Sequence, residues 1–230
     1  MSDALNQFRP VERSETLADR VYGELRTAIM AGRFRPGEKL TIRAVAKALD
    51  VSLTPAREAL FNLVAEGALE SGPNGSAQIP LLTKERIEEI TKIRSALEGL
   101  AAKAAAPNLD EPAIGELREL NDALLAANAK GDYERVMVLN WKFHFRIYQQ
   151  AGMPILERML ESCWLMAGSY LNVIYPEFGE VDRGVQNHLD IIAAIEARDA
   201  KKLRDAVQRD IEFAASTLLK AVRRGPPQPG

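Results

Sequence analysis

Three short runs of apolar residues at helical spacing, each closed by its own stop signal, occupy residues 16–67 and leave little choice of fold there. Leu17, Val21, Leu25, Ala28 and Ile29 recur every three or four residues, and Gly32 followed by Pro36-Gly37 ends the run. Thr41 is placed to cap a second helix carrying Ile42, Val45, Ala46 and Leu49, and Asp50-Val51-Ser52 makes a compact turn out of it. Thr54 is placed to cap a third helix, with Pro55 at its first position and Ala59, Leu60, Leu63 and Val64 leading to Gly67. Ala68-Leu69-Glu70-Ser71 and Ser76-Ala77-Gln78-Ile79 then flank Gly72-Pro73-Asn74-Gly75, where Asn-Gly predicts a tight hairpin turn. Three helices and a hairpin in this order spell a winged helix-turn-helix over residues 15–82.

Beyond Pro80 the strand signals stop. Five or six amphipathic helices follow, at about residues 84–105, 113–129, 133–150, 155–174, 185–198 and 200–223, separated by Pro- and Gly-bearing breaks. The expected fold is mainly α: an N-terminal winged helix-turn-helix followed by an all-helical antiparallel bundle over residues 83–223. Residues 1–14 lack a sustained apolar period and read as a flexible leader, and residues 224–230 have nothing to bury and read as a disordered tail.

Composition narrows the classes further. With 47% hydrophobic and 27% charged residues the chain resembles an ordinary globular protein. No apolar run approaches the roughly 20 residues that span a bilayer, and the first residues lack the apolar core of a secretory signal, so no membrane partner and a cytoplasmic location are expected. The single cysteine, Cys163, sits in the apolar stretch SCWLMAGSYL and reads as a core residue. A net charge of −2 excludes a protein that coats nucleic acid through bulk basicity. Eight basic against three acidic side chains between Arg20 and Arg57 permit a local basic patch, although residues 1–80 balance at ten of each.

The run LRTAIMAGRFRPGEKLTIRAVAKALDVSLTPAREALFNLVAEGALE resembles the DNA-binding domain of GntR-type regulators in motif order and spacing. IRSALEGLAAKAA, NWKFHFRIYQQAGMPIL and NHLDIIAAIEARDAKKLRDAV resemble the FCD effector domain of the FadR subfamily, and the helix number suits its smaller, VanR-like version. The resemblance covers about residues 16–222. It implies a ligand-responsive transcription regulator that binds a double-stranded DNA operator as a homodimer, commonly as a repressor, under control of a small organic acid. It assigns DNA contacts to Arg43, Ser52, Thr54, Pro55 and Arg57 and to Asn74-Gly75 at the wing tip. Arg43 and Arg57 suit phosphate or guanine, and the two hydroxyls suit phosphate anchoring. Leu53 stands where these regulators commonly carry an arginine that reads a base. Leucine can only pack on a thymine methyl, so a different operator core is expected.

The resemblance also places Asn140, His144, His188 and Asp210 at the positions where FCD domains hold a divalent metal with one aspartate and three histidines. Asn140 and His144 lie one turn apart, Asn140 offers a neutral carbonyl oxygen, and Asp210 supplies the carboxylate. Zinc, nickel or manganese are the candidate ions; hydrogen-bonded interior histidines in a metal-free effector pocket are the alternative. Arg94, with Asn140, His144 and His188, is a candidate effector-binding residue, and Arg94 with Glu98 is either a pocket pair or a surface i,i+4 ion pair. Two other functions fit the residues less well. A metal-dependent enzyme lacks an evident base or nucleophile, and an architectural DNA-binding protein would be far more basic.

Overall fold

The computed structural model describes residues 15–81, 83–174 and 182–224; the expected leader and all but the first residue of the expected tail lie outside them. The first unit comprises α1 (Leu17–Met30), β1 (Lys39–Leu40), α2 (Ile42–Ala48), α3 (Leu53–Ala65), β2 (Glu70–Ser71) and β3 (Ala77–Gln78). Thr16 opens α1 through a capping box with Asp19, and the Thr41 hydroxyl accepts from Ala44 N–H at the start of α2. The turn between α2 and α3 closes with Val51 N–H donating to Ala46 C=O, and Asp50 adopts the left-handed backbone (φ 52°) that Asp tolerates. Val21, Leu25, Ile29, Val45, Ala56, Leu60 and Leu63 form its core.

Three details differ from the sequence reading. The N-cap of α3 is Ser52, so the helix starts at Leu53 and Pro55 is its third residue. That position is permitted because first-turn N–H groups have no intrahelical acceptor to lose. The wing is not a two-residue Asn-Gly turn. Pro73–Gly75 forms a single 3-10 turn, and Gly72 N–H donates to Ser76 C=O across a loop of five residues. Pro73 fixes φ before the tip, and only Gly75 is needed to supply a positive φ of 73°. Third, Lys39–Leu40 forms an unanticipated strand, giving an antiparallel sheet in the order β1-β3-β2 with Leu40 opposite Ala77 and Ser71 on its other side.

The second unit is helical throughout its described residues: α4 (Lys84–Ala105), α5 (Glu111–Ala129), α6 (Tyr133–Tyr148), α7 (Pro154–Ile174), α8 (Asp182–Glu196) and α9 (Ala200–Arg224). Thr83, Asp110 and Asp132 cap α4, α5 and α6. α4 lies along α9, α5 packs on α6 and α8, and α8 packs on α9. Phe143, Phe145, Ile147, Leu160, Ile191, Leu203 and Val207 are buried between them.

α7 belongs to both units. Its Leu165 is fully buried in the core of the winged unit, and Gly168 meets α1 so closely that a Cβ would stand 2.9 Å from Ile29 O and Met30 Cα. Glu161 pairs with Arg26 at 3.0 Å. Glu66 accepts from Tyr22 at 2.5 Å and from Ser162 at 2.9 Å. Burial and the Glu66 contact push the Tyr22 phenol up to about 12.

Candidate functional site

Two surfaces carry the chemistry. On the winged unit, Ser52, Leu53, Thr54 and Arg57 are exposed on α3, and Arg43 is exposed on α2. Neither Arg43 nor Arg57 forms an ion pair among the described residues, so both guanidinium groups are available to an incoming anion. Pro55, to which the resemblance also assigns a DNA contact, has its side chain buried in the first turn of α3. Its fixed φ shapes that turn. Gly75 is exposed at the wing tip; the Asn74 side chain lies outside the described residues.

The helical unit encloses a polar cluster. Arg94 and Glu98 are 7% and 0% exposed, so their pairing is interior and the surface ion-pair reading fails. Arg94 Nε donates to Glu98 Oε1 at 2.5 Å, and its guanidinium carbon lies 4.3 Å from the centre of the Trp164 ring. Burial opposes the charge on Arg94, but Glu98 outweighs it and holds the guanidinium above its ordinary range. The Tyr148 hydroxyl donates to Glu98 Oε2 at 2.5 Å and lies 3.2 Å from His144 Nδ1. Burial and the adjacent Glu98 charge raise the Tyr148 phenol well above its usual value.

These contacts fix the imidazoles. Because Tyr148 gives its one proton to Glu98, its oxygen accepts from His144 Nδ1–H. His144 Nε2 lies 3.2 Å from Asp210 Oδ2, within hydrogen-bond reach when that nitrogen carries a proton. His188 Nδ1–H donates to Asn121 Oδ1 at 3.2 Å, which leaves Nε2 of the neutral ring without a proton. Burial lowers His188 to about 4, with Asp210 opposing and His144 reinforcing the shift. For Asp210, burial alone would raise the pKa; His144, His188 and the Asn187 amide, 3.1 Å from Oδ1, reverse this and lower it. Donor atoms of His144, His188 and Asp210 thus lie within 4.8 Å of one another. A proton on His144 Nε2 or a cation can join the imidazoles to the carboxylate, and the donor set suits a divalent ion. Asn140 is half-buried one turn before His144, with no side-chain hydrogen bond among the described residues.

Residue spacing alone did not point to Tyr148, Asn121 or the interior role of Glu98. Tyr148, four residues after His144 on α6, was the one readable signal. Beside the cluster, Ile87, Ile90, Thr91, Ile211 and Leu218 line a small apolar cleft between α4 and α9 that ends on Arg94.

A winged helix-turn-helix joined to an all-helical unit with a buried basic and polar centre defines a DNA-binding regulator with a sensing domain. Residues 17–79 match the model of bacterial regulatory proteins of the gntR family, and residues 89–213 match the FCD domain. The HTH-type transcriptional regulator McbR of Escherichia coli (strain K12) is 34% identical, over 91% of this chain and 96% of its own length. The HTH-type transcriptional repressor RspR of the same strain is 25% identical over 96% and 92%. The solved structure of E. coli McbR/YncC superposes with a TM-score of 0.84 at 31% identity, covering 90% of this chain and 99% of that one. A GntR regulator from Rhodococcus sp. RHA1 shares the fold, with a TM-score of 0.73 at 24% identity, covering 89% and 98%. The chain belongs to the GntR family of transcription regulators and carries the FCD effector domain: it is a ligand-responsive DNA-binding regulator. Among the described residues no helix is long and apolar enough to cross a membrane.

Proposed function

We propose that the chain is a homodimeric cytoplasmic repressor whose DNA-binding unit spans residues 15–82 and whose effector and dimerisation unit spans residues 83–223. Arg43, Ser52, Leu53, Thr54, Pro55 and Arg57, with Asn74-Gly75 at the wing, meet the operator. A small organic acid binds in the helical unit, its carboxylate held by Arg94 and by the His144 and His188 centre. His144, His188 and Asp210, with Asn140 beside them, would hold a zinc, nickel or manganese ion that supplies a second positive charge for the acid. The observation that carries this reading is a buried arginine against the aromatic face of α7, the same helix whose Leu165 is buried in the winged unit.

The charge that an acid brings to Arg94 and Trp164 therefore acts on a helix that also positions α1 and α3. Effector and operator affinity must then be reciprocally linked, typically by about 1 to 3 kcal/mol. The repressor reading is supported by the similarity to RspR, named a repressor. Footprinting on the intergenic region beside its own gene, with and without a panel of sugar acids, amino acids and aromatic acids, tests it. A discrete footprint that one acid weakens is the expected result. Uniform coverage of the duplex, or a footprint indifferent to every acid, contradicts it.

A further inference from the structure

The outer face of α3 carries more than the polar contacts expected of it. Leu53, Arg57 and Phe61 follow one another at four-residue intervals, so the helix sets them along one slowly turning stripe, with Thr54 beside it. Leu53 is 46% exposed and Phe61 is 74% exposed, the most exposed large hydrophobic side chain among those described. The stripe cannot rotate inward, because Ala56, Ala59, Leu60 and Leu63 on the opposite face are already packed in the core of the winged unit. A large aromatic ring held in water beside a free guanidinium asks for an apolar partner that is also anionic overall.

DNA meets both requirements, and a second copy of the chain meeting it face to face does not. An isologous contact through this stripe would bring Arg57 together with its own symmetry mate, alongside exposed Arg43 and Lys47 of α2. A duplex neutralises those charges, and its major groove presents one apolar group, the 5-methyl of thymine. Leu53 and Phe61 are separated by a helical rise of about 12 Å, roughly three to four base steps.

We propose that Phe61 is a specificity-determining residue that packs on a thymine methyl three to four base pairs from the thymine under Leu53, with Arg57 between them on guanine or phosphate. The inference rests on the DNA-binding reading and adds to it the outer limit of the recognised half-site. Phe61 makes no contribution to the core, so replacing it leaves the fold intact.

The test uses the full chain and a duplex enriched by it from a random pool. Each thymine is exchanged singly for deoxyuridine, which removes only the methyl, and affinity is read by fluorescence anisotropy at fixed salt. The wild-type chain loses about fourfold, the factor for burying one methyl-sized group, at two positions in each half-site. Phe61→Ala becomes indifferent at the outer position while keeping the inner one, and Leu53→Ala does the reverse. If Phe61→Ala and the wild-type chain respond alike at every thymine, the proposal is overturned. That includes the case in which Phe61→Ala only weakens association between copies. If the pool yields no enriched sequence, the DNA-binding reading itself fails and the inference falls with it.

Discussion

Replacing Glu98 by alanine removes the acceptor on which two buried groups depend. Glu98 is fully buried, with Arg94 Nε at 2.5 Å from one oxygen and the Tyr148 hydroxyl at 2.5 Å from the other. Breaking a buried ion pair from one side costs about 3–5 kcal/mol, because the remaining charge has neither water nor partner. Stranding the Tyr148 hydroxyl adds about 1–3 kcal/mol, while entry of water into the vacated space offsets part of both. A net loss near 4 kcal/mol lowers the melting temperature of a chain this size by roughly 8–16 °C. The double variant Arg94→Met/Glu98→Leu removes both charges and fills the same space, so it should regain most of that loss. Thermal and urea unfolding followed by circular dichroism, with chelator present throughout, measures both variants. A Glu98→Ala loss under about 1 kcal/mol would place the pair effectively in solvent and refute the reasoning. A double variant no more stable than the single would show that shape, not charge, governs the site.

Three further outcomes follow from the geometry. Zinc, nickel or manganese added to chelator-treated protein should raise the melting temperature, and His144→Ala or Asp210→Asn should abolish the rise; a metal response that survives both variants removes these residues from the site. His188 is held neutral down to about 4, whereas an unfolded imidazole titrates near ~6.5. Between these values the unfolded chain takes up a proton that the folded chain refuses. The His188 contribution is therefore complete above the unfolded value and declines as pH falls toward about 4. Urea midpoints across that window should slope in the wild-type chain and flatten in His188→Gln. Gly168→Val drives a β-branched side chain into the backbone of α1, 2.9 Å from where its Cβ must stand. The strain should exceed the roughly 1 kcal/mol that a better helix former gains over glycine, and hydrogen exchange at Ile29 and Met30 should quicken relative to α3; unchanged exchange there would mean the two helices are not in contact.

Local signals were legible in the sequence, and distant pairings were not. Helical periodicity and the Pro-bearing break after it set the same limits for α4 as the structure, and Thr41 caps α2 as its spacing implies. The α3 start was misplaced by two residues because Ser52, Thr54 and Pro55 offer competing start signals, and Ser52 caps without a side-chain hydrogen bond. β1 carries only Lys39 and Leu40, too short for any alternation to show; its pairing with β3, 37 residues on by register, creates it. The polar cluster repeats this pattern. His144 and Tyr148 are one turn apart, but the Glu98 that orients them is 50 residues from Tyr148, and the Asn121 that orients His188 is 67 residues away. Glu98 stands out locally only as the residue one turn after Arg94, and nothing in local spacing singles out Asn121 or ties either residue to the imidazoles.

α7 shows what a pattern can reveal when it breaks the expected form. An amphipathic helix buries one stripe and wets the rest, yet Cys163, Trp164 and Leu165 are consecutive and all buried. Three successive residues cover roughly 200° of a helix at about 100° each, so one partner surface cannot bury them all. Leu165 is buried in the winged unit, and Glu161, Ser162 and Gly168 meet it at the same face; Trp164 lies under Arg94, and Ala167 lines the neighbouring cleft. The apolar run SCWLMAG therefore already encodes a helix clamped between two bodies, although it does not say which ones. That double burial ties the two units together: a shift of Trp164 on the effector side carries Leu165 and Gly168 with it, because neighbours on one hydrogen-bonded turn cannot move independently. Its counterpart is the bare backbone contact at Gly168, where no flexible side chain lies between α7 and α1 to absorb such a shift.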